Sequence, residues 1–241
     1  MSALRPITRT APPLPGRAVA AQRWSDLTFL HWRIDPAEVA PLLPEGVVPD
    51  VFDGTSWVGL IPFQLDQATL LGGPALPYVS SFVEVNVRLY GVDALGRRGV
   101  VFRSLEASRL VAVLAARATF GLPYFWSRTS MRREGRTYGY DAARIGSDLT
   151  NSVRVRLGPP IRTGPLADFL TARWGMFTRL AGRTRWVPNE HEPWRLQAAE
   201  LLDLHDELVA AAGFPGLTDR RPDSVLFSPG VTTRFGMPAR D

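Results

Sequence analysis

The stretch FVEVNVRLYG, Phe82 to Gly91, decides how this chain is read. Successive side chains of a strand face opposite sides, so Val83, Val85, Val87 and Leu89 share one face and Glu84, Asn86, Arg88 and Tyr90 the other. The first is a core face. The second sets an acid, an amide, a base and a phenol in a row. At about 3.3 Å per residue, Glu84 and Arg88 stand roughly 13 Å apart, too far to pair directly. If that face is buried, each charge needs a partner on another strand or in a ligand, because an unpaired buried charge costs several kcal/mol. At this level two readings stay open, a partly solvated or cross-strand-paired face and a cavity lining.

Working outward, RWSDLTFLHWRI (Arg23–Ile34) reads as a strand with His31 on the face opposite Leu30, Trp32 and Ile34. DPAEVAPLLP follows as a short helix capped by Asp35, with Pro36 at its first position, Glu38 completing a capping box and Pro44 ending it. Asp53-Gly54 reads as a hairpin turn between strands at 47–52 and 57–67. A Gly/Pro loop over 71–77 precedes the opening strand, and 99–105 pairs back on it. Ser108 is expected to cap a helix running to Thr119, stopped by Gly121 and Pro123. Residues 125–133 and 137–145 form a second hairpin, 152–157 a strand and 166–173 a short helix. WRLQAAELLDLHDELVAAAG fits a helix or, in its first half, a buried strand; 225–235 is the last strand. Residues 1–20, with APPLPG, form an extended lead-in to a single mixed domain over 21–241 that is rich in antiparallel strands.

The composition narrows the chemistry. With 241 residues, 45% hydrophobic, a full core is available. Cysteine is absent, which removes disulfides, thiolate nucleophiles and thiolate-held metals. All 28 basic residues are arginine, so no lysine exists to form a Schiff base, and only the N-terminal amine is left for that role. The arginines are scattered among acids rather than gathered on one surface, which argues against a nucleic-acid partner. No apolar run near 18 residues occurs and the first 20 residues hold Pro and Arg, so the chain is expected to be soluble and cytoplasmic, with no membrane partner. There is no glycine-rich nucleotide loop, and GTSWVG lacks nucleophile-elbow spacing. His31, His191 and His205 show no metal-ligand spacing, so neither a metal nor a cofactor is expected.

DLTFLHWRIDPAEVAPLLPEGVVPDVFDGTSWVGLIPF, FVEVNVRLY, FRSLEASR, AARATFGLPY and HEPWRLQAAEL together resemble the uncharacterised YqjF-like bacterial family, over about residues 20–238. That family is similar to acetoacetate decarboxylase and lies in its superfamily. The resemblance implies an α+β fold in which an antiparallel, cone-shaped β-barrel encloses a small cavity, with short helices packed outside. It implies that AARATFGLPYFW lies beside the active site, with Arg117 and Tyr124 at its edge, and that GLPY stands where acetoacetate decarboxylase carries its Schiff-base lysine. Glu84 resembles the family's cavity glutamate, and Arg23 the arginine that steers the substrate carboxylate. Oligomers are common in the superfamily, so a homo-oligomer is in keeping with it.

The candidate catalytic residues are therefore Glu84, Tyr124 and His31, with Arg23, Asn86, Arg88, Arg117 and His191 for substrate. A carboxylate desolvated in a barrel has its pKa raised toward neutrality and serves as an acid or base. Arg23 or Arg88 would clamp a carboxylate bidentately, and Asn86 and Tyr90 would donate to a carbonyl or enolate oxygen. Tyr124 either replaces the lost amine with a phenol or fills its space. His31 is a structural histidine or a proton carrier; His191 caps the cavity and His205 is structural. Trp32, Trp57 and Phe102 are placed near the cavity. The expected activity is acid/base chemistry on an oxo acid or related carbonyl compound without a Schiff-base lysine, of lyase, hydratase or cyclase type. The alternative is a non-catalytic carrier for a small apolar acid.

Overall fold

The computed structural model describes residues 3–75 and 80–239. The last two positions of the Gly/Pro loop expected over 71–77, and the N-terminal amine, lie outside them. In chain order the strands are β1 (Ala20–Ile34), β2 (Val47–Pro49), β3 (Ser56–Leu70), β4 (Phe82–Asp93), β5 (Arg98–Ala107), β6 (Tyr124–Glu134), β7 (Thr137–Arg144), β8 (Thr150–Pro160), β9 (Gly175–Leu180), β10 (Arg183–Glu190), β11 (Gln197–Asp206) and β12 (Ser224–Phe235). The helices are short: α1 (Pro36–Val39), α2 (Leu110–Phe120), α3 (Pro165–Thr171) and α4 (Leu208–Ala211).

Hydrogen-bonded pairs close two rings. β4–β5–β6–β7–β8–β11–β12–β1–β3 and back to β4 is a closed barrel. A smaller ring, β4–β5–β9–β10–β12–β1–β3, shares β1, β3, β4, β5 and β12 with it. Strand β4 belongs to both, and it is buried on both faces along nearly its whole length. Val83, Val85, Val87 and Leu89 pack inside the larger ring with Leu60, Tyr140, Val153 and Phe227. Tyr90, at the end of the polar row, packs in the second core with Phe29, Ile61, Phe63, Leu105 and Met176.

Several local expectations hold. Asp35 caps α1 by accepting the Ala37 N–H, with Pro36 at its first turn. Asp53 and Gly54 adopt φ of 52° and 77°, the left-handed pair a two-residue turn requires. Gly121 closes α2 at φ 65°. Others do not. β2 pairs with β4, not β3, because the Asp53-Gly54 turn supports only the Phe52–Thr55 bridge. Ser108 does not cap α2: Arg109 holds that position, without a capping side-chain hydrogen bond. The ambiguous stretch is strand β11 followed by α4, as its pairing with β8 decides. Strands β9 and β10 had no sequence expectation. The barrel is also not wholly antiparallel: β5 runs parallel to β6 and to β9, since the α2 crossover returns β6 in the direction of β5.

Close packing of β9 on β10 rests on a missing side chain. A Cβ at Gly175 would overlap the Trp186 indole ring. Gly175→Ala is expected to destabilise by about 1–3 kcal/mol, as overpacking does, and to lower the melting temperature by several degrees. An unchanged calorimetric melt would show that the ring moves freely.

Candidate active site

The smaller ring holds a cavity of about 70 Å³. Glu84, Asn86 and Arg88 line it from β4, Ile61 and Phe63 from β3, Phe102 and Leu105 from β5, and Tyr124 from the start of β6. The neighbouring walls are Trp24, Met176, Asn189, His191, Trp194 and Phe235, with Thr171 at the end of α3 and Arg173 just beyond it. One water needs about 10–15 Å³, so the space suits a handful of waters or one small organic molecule.

Glu84 is 2% exposed, and no arginine or histidine pairs with it among the described residues. The Tyr124 hydroxyl donates to its Oε2 at 2.8 Å, and Asn86 Nδ2 lies 3.5 Å from Oε1. Burial outweighs both hydrogen bonds and raises its pKa to about 7. Burial and the adjoining carboxylate push the Tyr124 phenol well above its ordinary value, so it stays a donor. Asn86 Oδ1 is buried and has no hydrogen-bond partner among the described residues. An acid poised near neutrality thus shares a small cavity with an unsatisfied amide oxygen.

Removing the Tyr124 hydroxyl tests this balance. Its hydrogen bond favours the ionised carboxylate, and such bonds are worth about 1.5–3 kcal/mol, or one to two pKa units. Tyr124→Phe is expected to raise the Glu84 pKa by roughly one unit, read by carboxyl carbon NMR across pH. A pKa that stays put would mean the bond contributes nothing to the ionised form.

Arg88 faces the cavity beside a polar cluster. Its Nε donates to the Tyr90 hydroxyl at 3.0 Å and its Nη2 to the Leu170 carbonyl at 2.8 Å. Tyr90 donates to the same carbonyl at 2.9 Å and shares a 2.6 Å hydrogen bond with His31 Nε2. His31 therefore sits behind Tyr90 and outside the cavity lining; burial, with Arg88 and Arg173 nearby, holds its pKa well below the ordinary value. His191 does line the cavity, against Trp174 and Trp194 with ring centroids 4.5 and 4.6 Å away, and burial lowers its pKa to about 4. Both imidazoles are neutral at pH 7.

Glu84, Asn86, Arg88, Tyr124 and His191 are thus brought together, whereas Arg23, Arg117 and His31 are not. Arg23 is exposed, because alternation along β1 turns its neighbours Gln22 and Trp24 to the cavity instead. Arg117 is exposed on α2 and donates Nε to the Tyr124 backbone carbonyl at 2.7 Å, fastening the helix end to β6. Phe102 is part of the lining; Trp32 and Trp57 are buried elsewhere in the cores. His205 lies on β11, 3.1 Å from the Thr150 hydroxyl. Sequence reasoning missed Arg173 and Asn189. Neither carries a local signal, since Arg173 finds Asp50, its carboxylate partner, 123 positions away. Among the described residues no group of three or more His, Asp and Glu side chains is placed to hold a metal ion.

Residues 21–232 match the DUF2071 family of uncharacterised conserved proteins. The chain belongs to that family. It is 30% identical over 187 residues to the uncharacterised protein YqjF of Bacillus subtilis (strain 168), covering 76% of each chain. Among solved structures, this DUF2071 member is similar to an acetoacetate decarboxylase-like enzyme from Sphingomonas wittichii RW1, with a TM-score of 0.65, 17% identity and 94% of each chain covered. It is also similar to the enduracididine biosynthesis enzyme MppR complexed with pyruvate, with a TM-score of 0.60, 14% identity and 92% and 88% coverage. The DUF2071 chain therefore has the acetoacetate decarboxylase-like fold, one that includes small-molecule enzymes.

Proposed function

We propose that the cavity is a catalytic site in which Glu84 moves a proton on an oxo acid or related carbonyl compound, without cofactor or Schiff-base lysine. The observation that carries this reading is a buried carboxylate with a pKa of about 7 and no cationic partner among the described residues. Such a group is half ionised at neutral pH, where a base and its conjugate acid are equally available. As base, Glu84 takes the proton α to the carbonyl and the C–H electron pair moves onto the carbonyl oxygen as an enolate. Delivery of that proton to the enolate oxygen completes enolisation, and its return to carbon gives α-proton exchange. Its delivery elsewhere, or loss of a β leaving group, gives the lyase, hydratase and cyclase outcomes. Asn86 Nδ2, with two N–H groups, supplies a hydrogen-bond donor at the same wall, while the one Tyr124 O–H is given to Glu84.

The fold is shared with a protein whose structure holds pyruvate, which supports a small acid as ligand. Among the described residues no helix is long and apolar enough to cross a membrane; a cytoplasmic location is part of the proposal. A second reading, a carrier for a small apolar acid, draws on the apolar part of the lining, Leu27, Ile61, Phe63, Val100, Met176 and Phe235.

One experiment separates them. Short 2-oxo and 3-oxo acids are incubated with the protein in deuterium oxide and followed by proton NMR. Protein-dependent exchange of the α protons, or consumption, supports catalysis. Thermal stabilisation without exchange selects the carrier, and neither effect overturns both readings.

A further inference from the structure

Arg88 and Arg173 line the cavity, and Arg98, outside the lining, shares a single carboxylate with Arg173. Asp50, 2% exposed, accepts from Arg98 Nε and Nη2 at 2.8 and 2.6 Å and also from Arg173 Nη1. Arg88 has no carboxylate partner among the described residues, and its Nη1 has no hydrogen bond there. Arg173 is 5% exposed and lines the cavity; its Nη2 is buried without a hydrogen-bond partner among the described residues. Arginine does not deprotonate in a protein, so positive charge is left in excess at this end.

The two cavity-lining arginines are also held in place. Both guanidiniums lie over the Tyr90 ring, 5.4 and 4.8 Å from its centroid. The α3 carbonyls of Phe169 and Leu170 accept from Arg173 Nε at 2.7 Å and Arg88 Nη2 at 2.8 Å. The Tyr90 hydroxyl and the Asp50 carboxylate take up further nitrogens, so few torsions stay free. His31 and His191 are kept neutral nearby, with the arginine charges contributing to that in both. Excess buried charge is strongly unfavourable unless an anion offsets it. A fixed fork of guanidinium nitrogens suits a planar carboxylate.

We propose that Arg173, with Arg88, is the carboxylate-recognising end of the cavity, so that the ligand is a short-chain monocarboxylate whose neighbouring carbons face Glu84. This rests on the proposed function for the identity of the reacting end, but not for the binding of the acid. Arg98 stays paired with Asp50 and acts as a positioning residue for Arg173. Exposed Arg23 has no part in it. The carboxylate at Arg173 and the proton transfer at Glu84 are separate tasks at separate ends.

The test compares an acid with its neutral amide, using pyruvate against pyruvamide and 3-oxobutanoate against 3-oxobutanamide, with dissociation constants from calorimetry. In the wild type at least one acid is expected to bind 10-fold or more tighter than its amide. Arg173→Gln is expected to weaken the acid about 10- to 100-fold while leaving the amide within about threefold, with Arg173→Lys between. If Arg173→Gln does not fold, Arg88→Gln and the wild-type acid-to-amide ratio decide the matter. Equal binding of acid and amide by the wild type, an acid preference that survives in Arg173→Gln, or inorganic phosphate binding as tightly as the acids would each overturn the proposal. An acid that binds through Arg173 but never exchanges its α protons overturns the Glu84 reading alone.

Discussion

Glu84→Gln is expected to lower turnover of any oxo acid found to react by about 10²- to 10⁴-fold, the range that general acid–base catalysis contributes. The substitution keeps shape and keeps an acceptor for the Tyr124 hydroxyl, which donates to Glu84 at 2.8 Å. What it removes is the proton site. Ligand-induced thermal stabilisation should therefore persist in the variant while the rate is lost, separating chemistry from binding. In the wild type, the pH profile of kcat/KM should rise through an inflection near the Glu84 pKa of about 7, since the base acts when ionised. A profile falling through that pH would make Glu84 the acid, and a variant with unimpaired turnover would remove it from the mechanism.

The same residue should govern how stability depends on pH. Its folded-state pKa of about 7 lies above the ordinary 4.5, so the folded protein keeps a proton that the unfolded chain releases. The associated stability is fully present below about pH 4.5 and is lost as pH rises through 7, at about 1.4 kcal/mol per unit, or about 3 kcal/mol in all. Gln does not titrate. The melting temperature of Glu84→Gln relative to wild type is thus expected to climb by roughly 5–10 °C between pH 5 and pH 8.5, at about 2–4 °C per kcal/mol. The comparison must be a difference, because the histidines act in the opposite sense. His191, with its pKa lowered from 6.5 to about 4, contributes stability that is lost as pH falls through that window, and His31 adds to it. A difference that stays flat from pH 5 to 8.5 would show that Glu84 titrates normally.

Much of the site was legible because it is written along one strand. A period of two residues is a local rule, and it sorted Glu84, Asn86 and Arg88 from Val83, Val85 and Val87 without any knowledge of neighbours. The same rule, applied to β1, was overridden by the likeness that singled out Arg23; the strand's own alternation turns Gln22 and Trp24 inward. Turn and cap signals were equally local where they held, at Asp53-Gly54, Asp35 and Gly121. They failed where a competing contact was distant: Val47 pairs with Asp93 rather than across the nearby turn, and β11 is extended because β8 lies beside it.

Which residue types share a face, that no cysteine or lysine chemistry is available, and where the chain turns could all be read along the chain, since these follow from side-chain chemistry and backbone preference over a few residues. Enclosure of the polar face of β4 emerges only in the folded barrel, because closure depends on β9 and β10 meeting β5 and β12. The charge pairing emerges there too. Among the described residues Glu84 is left without a cation and Arg88 without a carboxylate, while Asp50 serves Arg98 and Arg173 from positions far along the chain. Desolvation and ion pairing are properties of the assembled interior, and no spacing in the sequence carries them.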